Sequence, residues 1–333
     1  MKKLLSILFI VIMVISSFVL FGSAANYTWK LAHGRTIGED LDIDANWFVN
    51  QLKEKTNGRI NIDVFPNYQL GDYTVVQERV SLGEIEMNFG PTASGRDKRL
   101  EVGQMNYLVS NWEEVQKVYK RGGVFTNIIA DLLEQQNIKY ICGWPFYFGG
   151  IALTKEPLNP TDPDAHSNTK IRVPPSRSYQ LTASTLGYLA TPIPWSEAYT
   201  AIQSGIVDGV IGGGAEGYYK NFRDVIKYYL PINDHLEIHF LYMNLDLWNS
   251  LPEELQQIIS DLAVELEDRR FVIAEEQEKA SEQKLIDYGI KVIPFTDEEL
   301  ARFERKVHEN VWPKVKEDIG AELIDKIVAD LEE

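Results

Sequence analysis

Alternation of strand-like and helix-like segments in the first ninety residues is the pattern that most limits the fold of this chain. Alternating apolar residues predict strands over 28–32, 60–65 and 85–89. Apolar residues at helical spacing predict helices over 40–55 and 73–82. This order of elements predicts a parallel sheet whose strands are joined by crossover helices.

Polar residues follow the first and third of these strands. His33 and Arg35 come directly after the first strand, and Thr92 comes after the third. Ligands of open parallel sheets lie beyond the carboxyl ends of the strands. We therefore expect His33, Arg35 and Thr92 to contribute to a binding site.

A second strand–helix unit follows, and the chain then returns to the first. The segment 143–150 is rich in aromatic residues, Gly and Pro, and we interpret it as a hinge or pocket wall that contains Tyr147. Two lobes are predicted, with a long acidic helix from about residue 252 lying across both. The predicted boundaries are lobe I, residues 26–149 plus 238–277, and lobe II, residues 150–237 plus 278–333. Such an arrangement indicates a hinged binding protein.

The first 25 residues have the layout of a secretory signal peptide. Lys2 and Lys3 precede an apolar run from Leu4 to Phe21, and small residues follow it. The alternative is an uncleaved membrane anchor, because the run approaches the length that spans a bilayer. No second apolar run of this length follows, so we expect an exported, periplasmic mature chain that does not insert into the membrane.

Net charge and cysteine content narrow the class of protein further. The 33 basic and 49 acidic residues give −16, and removing the two signal lysines gives 31 − 49 = −18. This balance opposes binding to nucleic acid or anionic lipid. Cys142 is the single cysteine, so an intramolecular disulfide is excluded, and its apolar surroundings indicate a small buried hydrophobe.

Arg172 is the strongest candidate for a binding residue. It ends a short predicted strand in the run Lys170-Ile-Arg-Val-Pro-Pro, and its planar, always charged guanidinium suits a carboxylate. A surface salt bridge is the alternative. Trp195 begins the next helix and could form a flat apolar floor under a ligand or pack in the core. The glycines Gly212, Gly213 and Gly214 are expected to donate backbone N–H groups to the ligand, although a purely structural turn remains open.

Three residues of a later strand suggest a competing function. His235, Glu237 and His239 share one face of an extended strand, so a metal site is conceivable. An exported metal-dependent hydrolase is therefore one alternative, although the common hydrolase and nucleotide-binding motifs are absent. Glu237 could also reach a ligand-binding cleft, and we expect no cofactor.

Several segments together resemble the extracytoplasmic solute receptors of tripartite ATP-independent periplasmic (TRAP) transporters. The most specific are Lys170-Ile-Arg-Val-Pro and the run from Pro192 to Gly209. Leu31-Ala-His33, Leu82-Gly-Glu-Ile-Glu-Met and the run from Leu247 to Gln256 also fit. The resemblance covers nearly the whole chain after the signal segment.

The resemblance implies a type II periplasmic-binding-protein-like α/β fold with two lobes, a hinge and a long helix spanning both lobes. It implies that Arg172 pairs with a ligand carboxylate, that Trp195 lines the pocket, and that Arg35 and Thr92 lie where the first lobe contacts the ligand. It also implies delivery of the ligand to TRAP permease subunits in the membrane. A receptor that feeds a sensory kinase is the remaining alternative.

Two departures from the family pattern bear on the ligand. Many members carry Gln-Glu-Asn after Val-Asp-Gly, and that Asn contacts the carboxylate, whereas this chain has Val210-Ile-Gly212. Some members carry a second arginine where this chain has Phe148-Gly-Gly-Ile151. These departures favour a monocarboxylate such as a hydroxy, keto or sugar acid. A C4-dicarboxylate stays open, because Arg35 could serve a second carboxylate.

Overall fold

The computed structural model describes residues 26–332, in which two β-sheets are surrounded by α-helices. The strands are β1 Tyr27–His33, β2 Ile60–Phe65, β3 Met87–Gly90, β4 Ile138–Phe148, β5 Gly150–Leu153, β6 Lys170–Val173, β7 Leu189–Pro192, β8 Gly209–Gly213, β9 Tyr228–Leu230, β10 Leu236–Asn244 and β11 Lys291–Val292. The helices are α1 Asp40–Lys55, α2 Tyr73–Ser81, α3 Trp112–Val118, α4 Val124–Glu134, α5 Arg177–Thr185, α6 Trp195–Gln203, α7 Ala215–Asn221, α8 Leu245–Ser250, α9 Glu253–Tyr288, α10 Asp297–Asn310, α11 Trp312–Ile319 and α12 Ala321–Glu332. A 3₁₀-helix covers Lys98–Gln104. The predicted signal segment, residues 1–25, lies outside the described residues.

The first sheet has the strand order β2-β1-β3-β10-β4. β1 is parallel to both β2 and β3, which confirms the prediction for the first ninety residues. β10 runs antiparallel to both β3 and β4, so the sheet as a whole is mixed and not parallel. The difference arises because β10 enters from the second sheet and runs back into the first, a non-local pairing that periodicity cannot indicate.

The second sheet has the order β11-β9-β5-β8-β6-β7. β6 is parallel to β7 and β8, whereas β5 runs antiparallel to β8 and β9. The carboxyl ends of β6 and β8 therefore lie at the same edge of this sheet and carry Arg172 and Gly212.

The chain crosses between the sheets at Gly149, between β4 and β5. Gly149 donates its N–H to the carbonyl oxygen of His235 at 2.8 Å, beside the return crossing that enters β10. The segment 143–150, which we interpreted as a hinge or pocket wall, is mostly a continuous part of β4, and the crossing lies near its end. The lobe boundaries given above remain a prediction.

Helix α9 packs against elements of both halves of the molecule, the half that contains the first sheet and the half that contains the second. It contacts β4 and α1 on one side and α7 and β11 on the other, which confirms the predicted long helix across both lobes. It ends at Gly289, which has the left-handed backbone (φ 101°) that glycine adopts without strain. No helix within residues 26–332 is both long and apolar enough to span a bilayer.

Candidate ligand-binding cleft

A cleft between the two sheets encloses about 840 Å³ of space, part of it open to solvent. Its wall is formed by the carboxyl ends of β1, β3, β6 and β8, by the start of β10 and by the loop after β2. The polar and aromatic side chains in the wall are those of His33, Arg35, Tyr68, Tyr73, Asn88, Gln104, Arg172, Tyr179, Trp195, Glu237 and His239.

Arg172 is a buried cation without an anionic partner among residues 26–332. Its Nε donates to the carbonyl oxygen of Ile193 at 2.7 Å, and its Nη1 donates to that of Ile211 at 3.1 Å. These bonds fix the plane of the guanidinium but use only two of its five N–H groups. Burial lowers the pKa of Arg172 because little solvent and no carboxylate stabilise its charge. An anion in the cleft would supply the negative charge that Arg172 lacks inside the protein.

Gly212 leaves space for this guanidinium, and Trp195 packs against it. Gly212 has φ +90°, and a Cβ atom there would lie 2.5 Å from Pro174 Cγ and 3.3 Å from Arg172 Nη1. The Trp195 ring centre lies 5.3 Å from Arg172 Cζ, within cation–π range. Trp195 also packs edge-on against Phe222, so it serves the core and the cleft together.

Arg35, the second arginine in the wall, has its charge paired inside the protein. Its Nη2 donates to Glu237 Oε1 at 2.5 Å, and its Nη1 donates to the Tyr147 hydroxyl at 3.4 Å. Its guanidinium also lies 4.4 Å from the Phe146 ring centre. Burial opposes the charge, but Tyr147 and Glu237 outweigh burial and raise the pKa of Arg35.

Glu237 is the centre of a buried network at the start of β10. Besides Arg35, His239 Nε2 lies 2.8 Å and His235 Nε2 3.5 Å from its oxygens. Although burial favours the neutral acid, the two histidines and Arg35 hold the pKa of Glu237 well below its usual range. His235 also contacts Asp234 at 2.9 Å; burial opposes its charge, but Asp234 and Glu237 raise its pKa to about 9.

The two histidines of the wall, His33 and His239, are neutral at physiological pH. Burial, together with the charge of Arg35, lowers the pKa of His239 to about 4. Burial also lowers the pKa of His33 to about 4, despite Asp42 at 3.2 Å. His33 Nδ1 accepts the backbone N–H of Arg35, which fixes the turn after β1.

Six of the predicted site residues line the cleft, and four do not. Those in the wall are Arg172, Trp195, Arg35, His33, Gly212 and Glu237. Thr92 is fully buried and donates to the Leu100 carbonyl, Tyr147 is behind Arg35, and Gly213 and Gly214 pack against the Trp195 and Tyr147 rings. These four positions support the wall from outside.

Sequence reasoning missed the tyrosines of the wall. Tyr68 lies in the loop after β2, at the carboxyl end of a parallel strand, where Pro66 and Asn67 mark a turn. The Tyr68 ring covers Gly34 so closely that a Cβ atom there would lie 2.4 Å from it. His33 was predicted because ligands lie beyond the carboxyl ends of parallel strands. The same principle applies to the loop after β2 and could have indicated Tyr68.

Direct contacts join the two sides at the mouth of the cleft. Thr36 donates to Asn221 at 2.8 Å, and Asn221 donates to Glu39 at 3.0 Å. The backbone N–H of Asp40 donates to Glu216 at 3.0 Å. The segment after β1 is therefore bonded to α7, and the molecule is in a closed form.

The metal site considered for His235, Glu237 and His239 has no support. Across residues 26–332, no group of three or more His, Cys, Asp or Glu side chains is arranged to hold a metal ion. The three side chains do share a face, but they bond one another and Arg35.

Residues 32–318 match the family model described as bacterial extracellular solute-binding protein, family 7. The C4-dicarboxylate-binding periplasmic protein of Rhodobacter capsulatus is 27% identical, with 84% of each chain covered. A TRAP periplasmic solute-binding protein from Ochrobactrum anthropi is 26% identical with a TM-score of 0.81, covering 93% of this chain and 96% of its own. A Bordetella pertussis extracytoplasmic solute receptor binding pyroglutamic acid is 22% identical with a TM-score of 0.82, covering 92% and 99%. These similarities confirm the type II two-lobed fold.

Proposed function

We propose, from the premise that this chain belongs to family 7 of the bacterial extracellular solute-binding proteins, that it captures a small organic acid in the periplasm and delivers it to a TRAP permease. The Rhodobacter protein binds C4-dicarboxylates and the Bordetella protein binds pyroglutamic acid, as their names state. The predicted signal segment provides for export. The cleft provides the binding site.

The observation that carries this proposal is the unpaired charge of Arg172 in the wall of a closed cleft. The guanidinium is 2% exposed and is fixed by two backbone carbonyls. Its remaining N–H groups match the two oxygens of a carboxylate. Trp195 then packs against the carbon skeleton of the acid, and Gly212 gives its backbone close access.

Closure strengthens the binding of the anion. Removal of water lowers the effective dielectric constant around Arg172, so its attraction for the carboxylate increases. The contacts of Thr36, Asp40 and Asn221 across the mouth stabilise the same closed form. We propose that ligand and mouth contacts act together, and that the remaining predicted residues, Thr92, Tyr147, Gly213 and Gly214, hold the wall.

The proposal is tested by replacing Arg172 with glutamine, which keeps a planar hydrogen-bonding group and removes the charge. Pyroglutamate, lactate, gluconate and succinate are first screened by thermal unfolding, and the acids that raise the Tm are titrated by calorimetry. R172Q should lose about 3 kcal/mol of binding free energy, roughly 100-fold in Kd, because a buried carboxylate is left unpaired.

Two controls accompany this test. Arg177→Gln removes a half-exposed arginine five residues away and should leave the Kd unchanged. The neutral amide of each bound acid should not bind the unaltered protein. Unchanged affinity in R172Q, at an unchanged Tm of the free protein, contradicts the anchoring role.

A further inference from the structure

The charged side chains in the wall of the cleft sum to a single positive charge. Arg35 and Arg172 are cations, and Glu237 is an anion. His33 and His239 are neutral at physiological pH because burial lowers the pKa of each to about 4. The cleft therefore offers one uncompensated charge to its ligand.

That charge cannot be shared between the two arginines. Arg35 is bonded to Glu237 at 2.5 Å and lies over the Phe146 ring, so its orientation is set by the protein. A second ligand carboxylate at Arg35 would have to compete with Glu237, whose own negative charge lines the same wall. Behind Glu237, His235 is paired with Asp234, so this network adds no net charge. Arg172 alone remains for an anion.

The rest of the wall is polar but uncharged. Tyr68, Tyr73 and Tyr179 line the cleft, and burial raises the pKa of each phenol, that of Tyr73 to about 12. Gln104 lies beside the Tyr73 hydroxyl and adds an amide. Phenol and amide groups bind ligand hydroxyl, keto or lactam groups through neutral hydrogen bonds, and the rings pack against carbon. These neutral groups do not compensate for the free-energy cost of desolvating a second carboxylate.

We propose that this receptor selects organic acids with one carboxylate and an uncharged polar remainder, and that Glu237 determines this selectivity by neutralising Arg35. This inference rests on the proposed function and narrows it. It separates the chain from its relative in Rhodobacter capsulatus, whose name states that it binds C4-dicarboxylates. Glu237 acts on the ligand charge through Arg35 and its own carboxylate.

The test compares acids that differ in one charge only. Succinate, glutarate and adipate are each titrated against their monoamides, succinamate, glutaramate and adipamate, which keep the same length and one carboxylate. The unaltered protein should bind the monoamide about tenfold more tightly or better, because the second carboxylate has no free cation. Glu237→Gln frees Arg35 and should cancel or reverse this preference.

Two variants make the outcome specific. Glu267→Gln removes the buried carboxylate of another Arg–Glu pair, Arg121–Glu267, whose arginine is exposed and which lies outside the wall, and should leave the preference unchanged. R172Q should weaken both members of each pair. Diacids that bind the unaltered protein as tightly as their monoamides, with R172Q still weakening both, overturn charge selection and leave the proposed function standing. A panel in which no acid binds overturns both. The comparison on the unaltered protein decides the charge selectivity even if E237Q does not fold, and an unchanged preference in folded E237Q overturns the role of Glu237.

Discussion

At the scale of single residues, Gly212 shows how the backbone shapes the binding site. Its φ of +90° favours glycine, and the space that a side chain would need is occupied by Pro174 and by Nη1 of Arg172. Gly205 also has a positive φ, +74°, but no atom lies within 4 Å of the place of its Cβ. A comparison of substitutions at the two glycines therefore separates the cost of backbone strain from the cost of steric contact.

Gly212→Ala should destabilise the protein and weaken acid binding, because the new methyl group must displace Pro174 or the guanidinium. Gly205→Ala should cost only the backbone term, about 1 kcal/mol of the free energy of unfolding, with the Kd unchanged. Gly212→Ala should cost about 1–3 kcal/mol more. Urea unfolding and calorimetry check both variants, and equal costs with equal affinities would contradict the role given to Gly212.

The sequence indicates an anion site at Arg172, which stays a prediction, but it does not indicate the surroundings of this residue. An arginine is always charged, so a strand-end Arg beside two prolines indicates an anion site without knowledge of its neighbours. The pairing of Arg35 with Glu237 joins residues 202 positions apart, and only the fold brings them together. Arg35 therefore looked like a second anion site in the sequence, although its charge is neutralised in the structure.

At the scale of elements, the crossing between the sheets is closely packed around two glycines. A Cβ atom at Gly149 would lie 1.8 Å from Cε1 of His235, which is buried and paired with Asp234. The next residue, Gly150, would place its Cβ 2.2 Å from the Leu230 carbonyl oxygen. Two glycines here allow the two crossing strands to touch.

Gly149→Ala should destabilise the protein by about 1–3 kcal/mol, because His235 cannot move away without breaking its ion pair. Gly95→Ala is the matched control, since it has no atom within 4 Å of its Cβ position and no positive φ. Urea unfolding of both variants gives the comparison. If Gly149→Ala is no less stable than Gly95→Ala, the close packing of the crossing is contradicted.

The elements themselves were easier to predict than their arrangement. Helix α1 begins and ends where its apolar spacing indicated, because local periodicity determines it. The segment after Cys142 contains Gly143 and Pro145, which are unfavourable inside a strand, yet it continues β4. Pairing with β10 accommodates Pro145 next to a register shift at Glu237, a compensation that depends on a strand ninety residues later.

At the scale of the whole molecule, closure brings carboxylates together at the mouth of the cleft. Glu216 on α7 accepts the N–H of Asp40, and Glu39 lies in the same contact through Asn221. Burial, with Asp40 and Glu39 nearby, raises the pKa of Glu216 to about 7, and Arg35 opposes the shift. Arg270 pairs with Asp40 at 3.3 Å and does not contact Glu216 directly. We expect Glu216 to be exposed to water in an open form and to keep the ordinary pKa of a glutamate there.

Closure should therefore take up a proton, and acid binding should depend on pH. The closed form has the higher pKa at Glu216, so lowering the pH from about 7 to about 4.5 favours closure, and outside this window the effect levels off. A ligand that closes the cleft at pH 6 should bind with about one proton more taken up by the unaltered protein than by Glu216→Gln. Calorimetry in two buffers of different ionisation enthalpy measures this uptake.

Glu216→Gln can still accept the N–H of Asp40 but cannot titrate, so it should bind without this proton and with an affinity that no longer rises between pH 7.5 and pH 5.5. Equal proton uptake in the unaltered protein and in the variant would contradict the assignment to Glu216 and place the proton on another group.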